Sequence, residues 1–212
     1  MRRPGATPFR VALTIDAEHP DRPHDAAAEL RLLATLERLE VRTTFFMQGR
    51  WVEAFPDRAR RVADAGHLIG NHGLYHIRMP LLSEYGLASD IIDSESVIKR
   101  TIGVDPRPWF RCAFGAGTND RRVQAAVKSA GYRHVPWHVE AEDWEPVNDG
   151  PAVAAKVVRG VLARRSAGQG DGSIVLLHSW SSGTADAMEA IVAGLRDAGA
   201  ALARLDELEP GT

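Results

Sequence analysis

The chain alternates between two hydrophobic periods almost from end to end, and this alternation restricts its fold more than any other feature. Apolar, β-branched and aromatic runs read as strands over Phe9–Ile15, Arg42–Met47, His67–Asn71, Pro108–Arg111, Tyr132–His138, Ser173–His178 and Ala200–Leu205. Between them, apolar residues recur at helical spacing over Asp25–Leu39, Pro56–Ala65, Leu87–Thr101, Asn119–Ala130, Ala152–Ala167 and Ala185–Ala198. The punctuation agrees, with Asp57 in a first turn and Gly66, Gly103 and Gly131 following helix ends. Strand–helix alternation of this kind predicts one parallel α/β sheet or barrel. At 212 residues the chain suits a single domain, 1–212, with a substantial core, and the stretch "RSAGQGDG" at 165–172 reads as a loop rather than a linker.

The positions of the polar residues carry the next constraint. Asp16, His72, Arg111, Glu140 with Asp143, and His178 each lie at or just past the C-terminal end of an expected strand. Sites in parallel barrels and open sheets collect on that face. Composition removes several other classes. A net charge of −2 gives no basic surface for nucleic acid, and no apolar run approaches the roughly 18 residues of a membrane span. Cys112 is the one cysteine, so no internal disulfide forms. With no apolar leader in the chain as given, the expectation is a soluble cytoplasmic protein.

In "GNHGLYH", His72 and His76 stand four residues apart, a spacing that can bring two imidazoles to one metal. Polar loop histidines are the plainer alternative, and the Glu of a His-Glu-x-x-His zincin is missing. Two histidines need a carboxylate as third ligand, with a position left open for water. "TIDAEHP", residues 14–20, offers Asp16 or Glu18.

From about Phe9 to His178 the chain resembles the NodB-type polysaccharide deacetylases, carbohydrate esterase family 4. The longest stretch of likeness is "TTFFMQGRWVEAFPDRARRVADAGHLIGNHGLYH". Five motifs of that family have counterparts in order: Thr14-Ile15-Asp16-Ala17-Glu18, His72-Gly73-Leu74-Tyr75-His76, Arg111-Cys112-Ala113-Phe114-Gly115, Glu140-Ala141-Glu142-Asp143-Trp144 and Leu176-Leu177-His178. The resemblance implies a distorted parallel (β/α) barrel of about seven strands and a metal-dependent amide hydrolysis. It implies Glu18, His72 and His76 as metal ligands, Asp16 as general base and Arg111 as the partner that keeps Asp16 ionised. It further implies a backbone N–H near Phe114 as oxyanion donor and His178 as general acid. Asp143 would fix the His178 tautomer and raise its pKa, and Leu176 and Trp144 would line a slot for the acetyl methyl. Zn²⁺ is the ion expected of a two-histidine, one-carboxylate site, with Co²⁺ or another transition metal able to serve.

The chain also departs from the family pattern. Ala17 stands where the second acid of the first motif is usual, so Glu18 is assigned the metal, with Asp16 as the competing ligand. Gly73 replaces a serine or threonine, Cys112-Ala113 replaces two prolines, and Glu140 replaces an aspartate. The implied substrate is an acetylated sugar, as polymer, oligomer or activated sugar. A small non-sugar amide is the alternative, and a glycan- or partner-binding protein without turnover is the third reading. Of the remaining residues, Cys112 reads as core rather than nucleophile, His19 as an exposed loop histidine with approach to the metal as the alternative, and His24 as a helix start. Trp109, Phe110, Trp137 and Trp180 read as core, with Trp180 also placed to stack on a sugar.

Overall fold

The computed structural model describes residues 9–21 and 26–208. His24 and the start of the first expected helix lie outside the described residues. The described residues divide into two compact units, one built from 9–15, 26–44 and 137–208, the other from 16–21 and 45–136. Both are woven from separated segments, which is why no linker shows in the sequence.

In the first unit, β1 (Phe9–Ala17) runs through Ile15 before passing into the second. Its side chains are buried almost without a break, the pattern of a parallel strand covered on both faces. It is flanked by β8 (Ala200–Leu202) and β7 (Ser173–His178), and β7 pairs in turn with β6 (Val139–Glu140). The pairings β1–β8 and β6–β7 are parallel, with Phe9 opposite Ala200 and Val139 opposite Val175. The helices of this unit are α1 (Ala26–Arg38), α6 (Gly150–Ser166), α7 (Ser182–Asp197) and α8 (Leu205–Leu208). Asp149 caps α6 by accepting from the Ala152 N–H, and Ser181 caps α7 through Thr184.

In the second unit the strand order is β2 (Thr44–Met47), β3 (Leu68–Asn71), β4 (Trp109–Phe110) and β5 (Arg133–His134). The register is parallel, with Asn71 opposite Phe110 and Trp109 opposite Arg133. Around these strands lie α2 (Gly49–Ala54), α3 (Pro56–Asp64), α4 (Glu84–Ile102) and α5 (Arg121–Ser129). Ser83 caps α4, and Gly103 ends it in the left-handed conformation at φ 71°. Met79, Leu87, Ile91, Phe110, Cys112, Val123, Val127 and Tyr132 form its core. No helix among the described residues is long and apolar enough to cross a membrane.

Three segments differ from the sequence expectation. The expected strand Tyr132–His138 is only Arg133–His134, and pairing resumes in β6 at Val139. Pro136 lies between them and has no N–H to give a ladder. The helix α2 is an addition, and it is too short to register a helical period. The final strand stops at Leu202, after which Leu205–Leu208 is helical.

Candidate active site

The end of β1 changes from apolar to acidic on one side only. Asp16 and Glu18 are two residues apart and share a side, whereas Ala17 faces the other way into the core. Both carboxylates are 3% exposed, a costly placement without partners. Asp16 Oδ1 accepts from Arg111 Nη1 at 2.8 Å. Arg111, wholly buried, also donates from Nε to the Val135 carbonyl at 3.2 Å and lies over the Phe46 ring. Burial pulls the Arg111 pKa down and Asp16 opposes it.

His72 meets both acids. Its Nε2 lies 3.1 Å from Glu18 Oε2 and 3.4 Å from Asp16 Oδ2. Its Nδ1 donates to the Arg111 carbonyl at 2.8 Å, which places the proton there and turns Nε2 toward the carboxylates. Burial works against charge on His72, but Asp16 and Glu18 outweigh it and raise its pKa. His76 Nε2 also contacts Glu18 Oε2. For His76 burial prevails over Glu18, and its pKa falls below the ordinary value.

Among the described residues, the possible ligand atoms fall into two overlapping groups, the members of each lying within 4.8 Å of one another: Asp16, Glu18 and His72, and Glu18, His19 and His76. Glu18 is common to both and so links the two histidines of the four-residue spacing. His19 is a correction to the sequence reading. It is half-buried rather than exposed, with Nε2 2.9 Å from Glu18 Oε1 and its ring edge-on to His76 at 4.4 Å. Its adjacency to Glu18 in "TIDAEHP" is the one signal that pointed to it.

Backbone bonds fix the loop that carries the two histidines. Gly73 N–H donates to Asn71 Oδ1 at 2.9 Å and Tyr75 N–H to Asp90 Oδ1 at 3.1 Å. The first amides of α2, Gly49 and Arg50, donate to the carbonyls of Gly73 and Leu74. Sequence reasoning missed Asp90, an acid on a long helix with no motif around it.

The segment after Arg111 turns sharply over Ala113–Gly115, with Phe114 at φ 58°. His134, also missed, braces this turn. Its Nδ1 accepts from Cys112 N–H at 3.3 Å, and its Nε2 pairs with Thr118 Oγ1, which donates to the Gly115 carbonyl. Burial, with Arg111 and His72 nearby, pushes the His134 pKa down to about 4, so this brace is neutral near pH 7. The Phe114 ring, 49% exposed, lies between His76 at 4.4 Å and the Arg78 guanidinium at 4.5 Å. Cys112 is fully buried, and burial pushes its thiol pKa up to about 12. A thiol held protonated is a poor nucleophile. Native protein treated with an alkylating reagent should therefore show no adduct at Cys112 by mass spectrometry until it is unfolded; rapid labelling of the native state would contradict its place in the core.

The first unit holds a second polar cluster. Asp143 Oδ1 accepts from His178 Nδ1 at 2.8 Å, while Oδ2 accepts from the His178 N–H and the Thr184 hydroxyl. A carboxylate only accepts, so the His178 proton sits on Nδ1. Trp144 and Trp180 flank the ring, each 5.4 Å away. Trp180 is thus half-buried against His178 rather than in the core. Leu176, two residues before His178 on the same face of β7, is buried. The sequence-assigned residues therefore assemble as two groups, Asp16, Glu18, His72, His76, Arg111 and Phe114 in one unit and Asp143, Trp144, Leu176, His178 and Trp180 in the other.

Compared with known proteins, residues 5–135 match the family model described as polysaccharide deacetylase. The chain belongs to the polysaccharide deacetylase family. A peptidoglycan-N-acetylglucosamine deacetylase of Bacillus cereus is 29% identical over 93% of this chain and 67% of its own length. A family 4 carbohydrate esterase from Streptomyces lividans, solved with acetate, superposes with a TM-score of 0.78 at 25% identity, covering 93% of both chains. BA3943 of Bacillus anthracis, described as a family 4 pseudoenzyme, superposes at 0.82 with 25% identity over 95% of this chain and 65% of its own; a mutant of it is described as having restored activity. The fold class is accordingly α/β, the distorted parallel (β/α) barrel of these deacetylases. This deacetylase-family chain spans about 52% to 67% of the length of the first curated relatives that it matches.

Proposed function

We propose that this chain is a metal-dependent N-deacetylase acting on acetamido sugars. The observation that carries the reading is the Asp16–Arg111 pair, buried beside Glu18, His72 and His76: one carboxylate has its own guanidinium, and the other faces two imidazoles. The donor set fits a divalent cation. Buried acids converge on His72 Nε2, and His72 already carries its proton on the far nitrogen. Glu18, His72 and His76 would hold the ion, with Zn²⁺ the best match to nitrogen and oxygen donors. Such an ion supplies Lewis acidity toward the acetamide carbonyl and a water that ionises near neutral pH.

Asp16, held and aimed by Arg111, takes the water's proton. His178 returns a proton to the departing amine from Nε2, with Asp143 holding the ring by Nδ1. The assignment of both clusters to one reaction rests on the order of the five motifs along the chain. The backbone N–H at Phe114 would meet the developing oxyanion, and Trp144, Trp180 and Leu176 would contact the sugar and its acetyl methyl. The similarity to peptidoglycan-N-acetylglucosamine deacetylases supports a sugar over a simple amide.

The pseudoenzyme among the structural neighbours makes turnover the point to test. Purified protein should carry close to one transition metal per chain by elemental analysis, and Glu18→Ala and His76→Ala should lose it. The loaded protein should release acetate from N-acetylglucosamine oligomers faster than from simple amides. Wild-type protein that stays empty after incubation with Zn²⁺ or Co²⁺ refutes the reading, and faster hydrolysis of simple amides moves the substrate to the non-sugar alternative.

A further inference from the structure

We propose that His19 is a positioning residue that aims Glu18 at the metal, an inference that rests on the metal reading above. A glutamate ligand has one more side-chain torsion than an aspartate, and that freedom must be restrained for one oxygen to be presented reliably. The structure supplies the restraint. Glu18 Oε2 faces His72 at 3.1 Å and meets His76, while Glu18 Oε1 lies 2.9 Å from His19 Nε2. With both oxygens assigned, the carboxylate cannot rotate without breaking a contact. Partners of this kind behind metal-binding carboxylates typically change metal affinity by about 10–100-fold.

His19 is itself fixed. Its backbone N–H donates to Gln48 Oε1 at 2.9 Å, and Gln48 is buried with its own N–H on the Ala17 carbonyl. Its ring packs edge-on against His76. Its backbone adopts φ 57°, uncommon for a residue other than glycine. Such a conformation persists where the surroundings impose it, and such positions cluster at functional sites. A chain whose first acid pair is spaced by two residues thus places a histidine directly after the second acid, where its ring can reach back to it.

The test is zinc affinity, measured by competition with a chelating dye, for wild type, His19→Ala and His19→Gln. Glutamine keeps an N–H donor at nearly the same reach but is a poor zinc ligand. Expected are a loss of about 10–100-fold in affinity for His19→Ala, near wild-type affinity for His19→Gln, and unchanged thermal unfolding of all three metal-free proteins. Equal losses in both variants would show that His19 binds the ion itself, which overturns the positioning role. Unchanged affinity in His19→Ala overturns it too. A wild type that binds no zinc removes the metal reading and this inference together.

Discussion

Asp16→Asn should lower turnover on an acetamido sugar by about 10²–10⁴-fold, the usual contribution of a positioned general base, while leaving the metal in place. The amide keeps the shape and one oxygen for Arg111 Nη1, which lies 2.8 Å from Asp16 Oδ1. It cannot take a proton from water, and it removes the charge facing a fully buried guanidinium. Breaking a buried ion pair from one side costs about 3–5 kcal/mol, so the melting temperature should fall as well. Three readouts separate the roles. Metal retained with turnover lost marks Asp16 as base. Metal lost marks Asp16 as a ligand, in keeping with its Oδ2 lying 3.4 Å from His72 Nε2, and the base must then be sought elsewhere. Turnover retained rejects both.

Much of this architecture was legible because the signals were local. Phe9–Ile15 and Ser173–His178 are mostly apolar runs, the first followed at once by Asp16 and the second ending in His178, so each strand and the polar residue at its end could be read together. The alternation of side chains along β1 also separates Ala17 from the acids: it occupies the core side, and the acids at 16 and 18 share the other. The residues that escaped notice act across distance in the chain. His134 looks like one of two alternating histidines on a strand, yet its role depends on Cys112 and Thr118 coming to meet it. Asp90 is an ordinary acid on a helical pattern until α4 is laid against the loop of His72 and His76. Residue type alone leaves His19 between a loop histidine and a neighbour of the metal site; what decides is its contact with the adjacent Glu18 Oε1.

Gly73→Ala should destabilise the protein by about 2–4 kcal/mol, from overpacking and from a buried carboxylate forced off its donors. Gly73 sits at φ 75°, where any side chain is strained, and an added Cβ would collide with Asp90 Oδ2. Asp90 has nowhere easy to go. It is buried, and burial raises its pKa even though its carboxylate accepts from the Tyr75 and Leu74 amides. Moving it would release two amides of the loop that presents His76, so zinc affinity should fall along with stability. Asp90→Ala removes the obstruction but also the acceptor, and each single variant should therefore be poor. Once Asp90 is gone, the alanine at 73 has only its backbone strain left to add. The double variant should be more stable than the sum of the two losses by about 0.5–3 kcal/mol, the coupling expected of side chains in contact. Denaturant unfolding of the four metal-free proteins measures it. Strict additivity would mean that Gly73 and Asp90 do not share space in solution, and the glycine would then be explained by its φ alone.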